Sequence, residues 1–219
     1  MRSKFDEQLT LLHKDLIMLG ALCEEAISDS AKALLNERQQ RAALIEQIKD
    51  LGGQIEQKER EVENRCLKLL LQQQPVASDL RTISAALKMV TDMERIGHQS
   101  ADIAEIISLA NISPANIPTQ QELFAGMAAA VIKMVTESID AFVKQDVAMA
   151  QAVIAYDDVV DDYFNQIKQL LIALFGRPET DGEQTIDLLM IAKYFERIGD
   201  HAVNIASWVL FAITGRREG

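Results

Sequence analysis

Glu94-Arg95-Ile96-Gly97-His98-Gln99-Ser100-Ala101-Asp102-Ile103-Ala104 and Glu196-Arg197-Ile198-Gly199-Asp200-His201-Ala202-Val203-Asn204-Ile205-Ala206 are two versions of one segment. They share Glu-Arg-Ile-Gly, the apolar spacing that follows it, and a downstream Ile-Ala. Glu94 and Glu196 are 102 residues apart in a chain of 219, so the period is close to half the chain. A repeat on that scale means one supersecondary unit used twice, and the two halves are read against each other.

The rest of the chain reads as helix. Six helices are expected from the 3.6-residue spacing of apolar positions. The first spans about Lys4–Leu35, with Leu9, Leu12, Leu16, Leu19, Leu22 and Ile27 near one stripe. After a break at Asn36-Glu37-Arg38, the second spans about Gln39–Gln73. Gly52-Gly53 is a weak point inside it, because each helical glycine costs roughly 1 kcal/mol against alanine. Pro75 ends that helix, since the residue before proline avoids the helical region. Ser78 or Asp79 is the expected cap of a third helix running to about Ala110.

Asn111-Ile112-Ser113-Pro114-Ala115-Asn116-Ile117-Pro118 is the clearest linker, with two of the four prolines. Thr119 and Glu122 are spaced as a capping box for the fourth helix, which reaches about Val143. The fifth spans about Asp146–Phe175 and is closed by Gly176-Arg177-Pro178. Asp181 or Thr185 opens the sixth, which ends near Thr214-Gly215. The expected fold is all-α: two tandem three-helix bundles, residues 1–112 and 119–216, joined by a linker at 111–118 and packed side by side.

Composition narrows the function. The hydrophobic fraction of 48% fits a globular chain, and a net charge of −11 argues against nucleic acid as a main partner. Cys23 and Cys66 have no CxxC spacing and read as core thiols of a reducing compartment. No signal-peptide pattern opens the chain and no apolar run reaches about 18 residues, so a cytoplasmic protein without a membrane span is expected. No HExxH, phosphate-binding glycine loop, Glu-x-x-His pair or cysteine-nucleophile context occurs, so no catalytic residue is assigned and a non-enzymatic role is expected.

The chemistry-bearing residues lie on the repeated helices. Positions i, i+4 and i+8 drift only about 40° per step on an α-helix, so Glu196, Asp200 and Asn204 form one polar stripe. Its counterpart in the first half is Glu94, His98 and Asp102. The second helix of each half adds an opposing stripe: Asp157 and Asp161 in half two, beside Asp158 and Asp162, and Glu56 in half one, with Asp50 nearby. Like charges at i,i+4 repel by roughly 0.2–0.5 kcal/mol per pair, which a bound cation relieves. Oxygen donors with an optional imidazole suit a divalent or trivalent metal. The competing readings are a solvated acidic face for Asp157–Asp162, surface or core-edge positions for His98 and His201, and plain ion pairs for Arg95 and Arg197. Met89, Met93, Met127, Phe124 and Phe195 read as core. Gly97 and Gly199, inside helices, call for close approach of a neighbouring helix or a ligand.

The doubled motif, together with Gln74-Pro75-Val76-Ala77-Ser78-Asp79-Leu80-Arg81 and the acidic run Asp157–Asp162, resembles the PhoU family of phosphate-uptake regulators across essentially the whole chain. The resemblance implies two PhoU-like three-helix bundles in a cytoplasmic adaptor that represses the phosphate-starvation response. It implies contacts with the ATPase subunit of the phosphate ABC importer and with a sensor histidine kinase, a homodimer, and membrane association only through partners. It also implies iron or zinc clusters on the carboxylate stripes. Half two carries the full set: Asp157, Asp161, Glu196, Asp200 and Asn204. Half one departs from it. Gly52 stands where the family usually has Asp, His98 replaces Asp and Asp102 replaces Asn, which leaves Glu56, Glu94, His98 and Asp102. The alternatives are a carboxylate-bridged metal-storage protein or metalloenzyme of helical-bundle type, and a structural bundle with solvated acidic faces.

Overall fold

The structure, a computed structural model, describes residues 2–36, 38–73, 76–110, 112, 118–175 and 180–216. These form six helices: α1 (Arg2–Leu35), α2 (Arg38–Gln73), α3 (Ala77–Leu109), α4 (Pro118–Lys144), α5 (Val147–Phe175) and α6 (Gly182–Thr214). Among the described residues there is no strand. The expected helices are all present, and α2 runs unbroken through Gly52-Gly53. Of the expected linker only Ile112 and Pro118 are described, and Ile112 is buried. Glu37, Pro75 and the Gly176-Arg177-Pro178 segment lie outside the described residues.

The helix starts differ from expectation in two places. Helix α3 begins at Ala77, with Val76 in extended conformation before it and no side-chain cap. Ser78 and Asp79 therefore sit inside the first turn, where Asp79 meets the positive end of the helix dipole instead of capping it. Helix α4 starts at Pro118, so Thr119 is the second helical residue and not the cap. Proline suits that first position because the missing N–H has no intrahelical acceptor. At α6 the cap is Asp181, whose carboxylate accepts from the backbone N–H of Glu183 (3.0 Å) and Gln184 (3.3 Å). Asp146 does the same for Met149 at the start of α5. Gly215 ends α6 in the left-handed region with φ 76°, which glycine adopts without a Cβ penalty.

In each half the three helices pack on one another, α1–α2–α3 and α4–α5–α6. The halves meet through α3 against α6 and α1 against α4, so α2 and α5 lie on the outside. Helices α3 and α6 are antiparallel: Gly215 at the end of α6 faces Arg81 near the start of α3, and Asp92 faces His201 and Asn204. One continuous apolar core runs through both halves. Met89, Met93, Met127, Phe124 and Phe195 are fully buried in it, as their spacing predicts. Cys23 and Cys66 are free and buried, and burial pushes the Cys66 thiol up to about 12. Both read as packing residues, not nucleophiles.

The α1–α4 contact is close. A Cβ on Gly20 would collide with Ile139 Cδ1. His13 meets Phe142 edge-on with ring centroids 5.5 Å apart, and Thr136 donates to Glu24 at 2.8 Å. These contacts place the outer faces of α2–α3 and α5–α6, which carry the polar stripes, on a single rigidly packed scaffold.

Candidate functional site

The glycines of the repeated motif set the geometry. A Cβ on Gly97 would lie 3.0–3.1 Å from the Ile55 side chain, and one on Gly199 would lie 3.3 Å from Val160. Each glycine thus admits the second helix of its own repeat. The two contacts also fix the correspondence between halves: Ile55 with Val160, hence Gly52 with Asp157 and Glu56 with Asp161. Glu94, His98 and Asp102 correspond to Glu196, Asp200 and Asn204.

In repeat two, Asp157 and Asp161 of α5 lie within charge range of Glu196 and Asp200 of α6. Asp157 Oδ1 is 3.4 Å from where a Cβ on Gly199 would stand, so the missing side chain makes room for that carboxylate. Burial, and then the charges of Asp161, Asp200, Glu196 and Asp158, push Asp157 up to about 6. Asp200 is raised as well, first by burial and then by Glu196, against the lowering influence of Lys193 and His201. Glu196 is paired with Lys193. Among the described residues Asp157, Asp161 and Asp200 have no ion-pair partner. Asp158 and Asp162 are exposed. Asn204 is turned partly away: its amide Nδ2 donates to Asp92 of α3 at 3.4 Å.

Repeat one is built from the same positions but is charge-compensated. His98 Nε2 lies 3.2 Å from Glu94 Oε1 and 3.5 Å from Glu56 Oε1, joining α3 to α2. Arg60 stands 3.6 Å from Glu56, and Arg95 stands 3.8 Å from Glu94. At Gly52 there is no side chain, and nothing lies within 4 Å of an added Cβ. Asp102 is raised by burial and by Glu105, with His98 and, from the other repeat, Arg197 acting the other way. Glu59 is raised by burial, then by Glu63 and Glu94.

The structure therefore brings Asp157, Asp161, Glu196 and Asp200 into one acidic cluster, and Glu56, Glu94 and His98 into one cluster with the imidazole beside both carboxylates. Asn204 and Asp102 lie toward the α3–α6 seam. Among the described residues no group of three His, Cys, Asp or Glu side chains stands ready-made around a single metal position. The residue that sequence reading undervalued is His201. Its Nδ1 lies 2.9 Å from Asp92 Oδ1 across the repeat seam, both side chains being mostly buried. No single-helix pattern reveals that pair, because Asp92 has no counterpart carboxylate in the other half: the matching residue is Tyr194.

Comparison with known proteins agrees with this doubled architecture. The sequence pattern of the PhoU domain matches residues 16–107 and again 124–209. The phosphate-specific transport system accessory protein PhoU homolog of Clostridium acetobutylicum is 32% identical over 217 residues, covering 99% of this chain and 97% of that one. The homolog from Synechocystis sp. is 34% identical over 218 residues, covering 99% and 94%. These relatives are named as accessory proteins, not as enzymes. The crystal structure of PhoU from Pseudomonas aeruginosa superposes with a TM-score of 0.85 at 30% identity, covering 97% of this chain and 100% of that one. The phosphate transport system regulatory protein PhoU from Streptococcus pneumoniae has the same fold, with a TM-score of 0.86 at 23% identity over 98% of this chain and 99% of that one. Matched twice by the PhoU domain and along almost its whole length by PhoU homologues, the chain belongs to the PhoU family.

Proposed function

We propose that the protein is a non-enzymatic accessory protein of a phosphate-specific transport system, acting in the cytoplasm as a negative regulator of the phosphate-starvation response. It links the ATPase subunit of the phosphate ABC importer to a sensor histidine kinase, works as a homodimer, and reaches the membrane through those partners. Residues 1–112 and 119–216 are its two functional repeats. The observation that carries this reading is the match to PhoU accessory proteins over nearly the full chain, in both halves. Two further facts support it. Among the described residues no helix is long and apolar enough to cross a membrane. A net charge of −11 disfavours nucleic acid.

Repeat two is the metal-binding half. Its donors are hard oxygens at the edge of a helical core, and they carry one lysine against four carboxylates. Asp161 and Asp200 stand at the solvent edge of the cluster and, with Asp157 and Glu196, would supply the carboxylates for an ion. Bound iron or zinc supplies positive charge that offsets the carboxylate repulsion. Asp157 and Asp161 hold the α5 side of the site and Glu196 and Asp200 the α6 side, while Asn204 holds the site against Asp92 of the other repeat.

The test is a deletion strain carrying a phosphate-starvation reporter. At high phosphate the reporter is expected to switch on, and the wild-type gene is expected to silence it again. A reporter that stays silent in the deletion strain at high phosphate contradicts the regulatory reading.

A further inference from the structure

We propose that repeat one is closed without metal: His98 is a built-in pin between Glu56 of α2 and Glu94 of α3, and response to metal is confined to repeat two. The second half of this statement rests on the metal reading of repeat two; the first half stands on repeat one alone.

Matched positions of the two repeats differ in charge. Glu196 and Glu94 are equivalent, as are Asp161 and Glu56, so each repeat presents one carboxylate from each facing helix. At the two remaining positions repeat two adds Asp200 and Asp157, which raises the negative charge. At those positions repeat one has His98 and Gly52, which removes it. The imidazole lies within 3.5 Å of both carboxylates. Both contacts are made by Nε2, so its single N–H is shared between the two carboxylates or serves the nearer one, Glu94, while Glu56 stays beside it. Arg60 and Arg95 complete the compensation. A metal entering here would meet two carboxylates already engaged, with no donor at Gly52. In repeat two it meets three aspartates without an ion-pair partner among the described residues.

The open space at Gly52 makes the difference reversible. Nothing lies within 4 Å of a Cβ there, so an aspartate is admitted without displacing a neighbour. Gly52→Asp together with His98→Asp reproduces in repeat one the donor types of repeat two.

The experiment is amide hydrogen exchange of the full chain, with Zn²⁺ added or with chelator present. In the wild type, Zn²⁺ is expected to slow exchange in α5–α6 around Asp157 and Asp200 and to leave α2–α3 unchanged. In chelator, His98→Ala is expected to speed exchange around Glu56 and Glu94 roughly two- to fivefold, the range for a half-exposed ion pair. His98→Gln, which keeps a donor, is expected to restore much of that protection. The Gly52→Asp/His98→Asp variant is expected to gain Zn²⁺-dependent protection in α2–α3. Zn²⁺ protection of wild-type α2–α3 overturns the proposal, and so does unchanged exchange in His98→Ala under chelator. Failure of Zn²⁺ to protect α5–α6 contradicts the metal reading of repeat two and with it the confinement to that half; the His98→Ala result still decides the pin.

Discussion

The two motif glycines and the two glycines of α2 have opposite surroundings, and this gives opposite expectations for the same substitution. Gly52→Ala puts a methyl into open space in a helix interior and should raise stability by about 0.5–1 kcal/mol. Gly97→Ala drives a methyl against Ile55 at 3.0 Å. Overpacking costs about 1–3 kcal/mol against roughly 1 kcal/mol of helix propensity, so a net loss of about 1 kcal/mol is expected. Urea unfolding of the two variants reads both signs. Asp157 adds a prediction on pH. A carboxyl raised to about 6 holds its proton more tightly than an ordinary aspartate, so metal must displace that proton at lower pH. Zinc affinity, followed by calorimetry, should therefore be flat above pH 7 and weaken steadily as pH falls through about 6. In the metal-free protein Asp157→Asn should leave stability unchanged or raise it, because it removes one charge from a repulsive cluster. The need for a small residue at Gly97 and Gly199 was legible in the sequence, since a glycine kept inside each repeated helix demands a reason. The grouping of Glu56, Glu94 and His98 was legible too, from the repeat; that the imidazole lies beside both carboxylates was not, because that depends on side-chain conformation.

At the scale of elements, the helices follow from apolar periodicity, and their starts were the weaker part of the reading. Ser78 and Thr119 have the chemistry of caps, yet α3 and α4 each begin one residue earlier, at Ala77 and Pro118. Asp181, by contrast, caps α6 as its sequence context suggests. The seam between α3 and α6 carries the Asp92–His201–Asn204 cluster. Truncating Asp92 leaves a mostly buried imidazole and an amide short of a partner, at about 1–2 kcal/mol. A double-mutant cycle of Asp92→Ala with His201→Ala should show coupling, and additive effects would deny the contact. In the α1–α4 seam, burial lowers the pKa of His13 below its ordinary 6.5. The unfolded chain then takes up a proton first as pH drops below 6.5, so the folded state loses stability over that window. His13→Gln should flatten this part of the stability–pH curve, and an unchanged slope would contradict it.

For the whole molecule, the doubled segment was enough to reach two three-helix bundles, because duplication constrains every helix at once. The repeat alignment also showed that the halves are unequal, through Gly52 and His98; which partners each carboxylate finds is a matter of side-chain placement that the alignment does not contain. Both repeats keep the same helices, the same glycine contact and the same glutamate at the start of the motif. They differ in what stands beside their carboxylates, a half-exposed imidazole and two arginines in one and Lys193 in the other. The most direct measurement is anomalous diffraction at the iron and zinc edges from crystals of natively purified protein. A peak between α5 and α6 beside Asp157 and Asp200, with none beside His98, is the predicted result. A peak held by Glu56, Glu94 and His98, or no peak beside Asp157, would contradict the account.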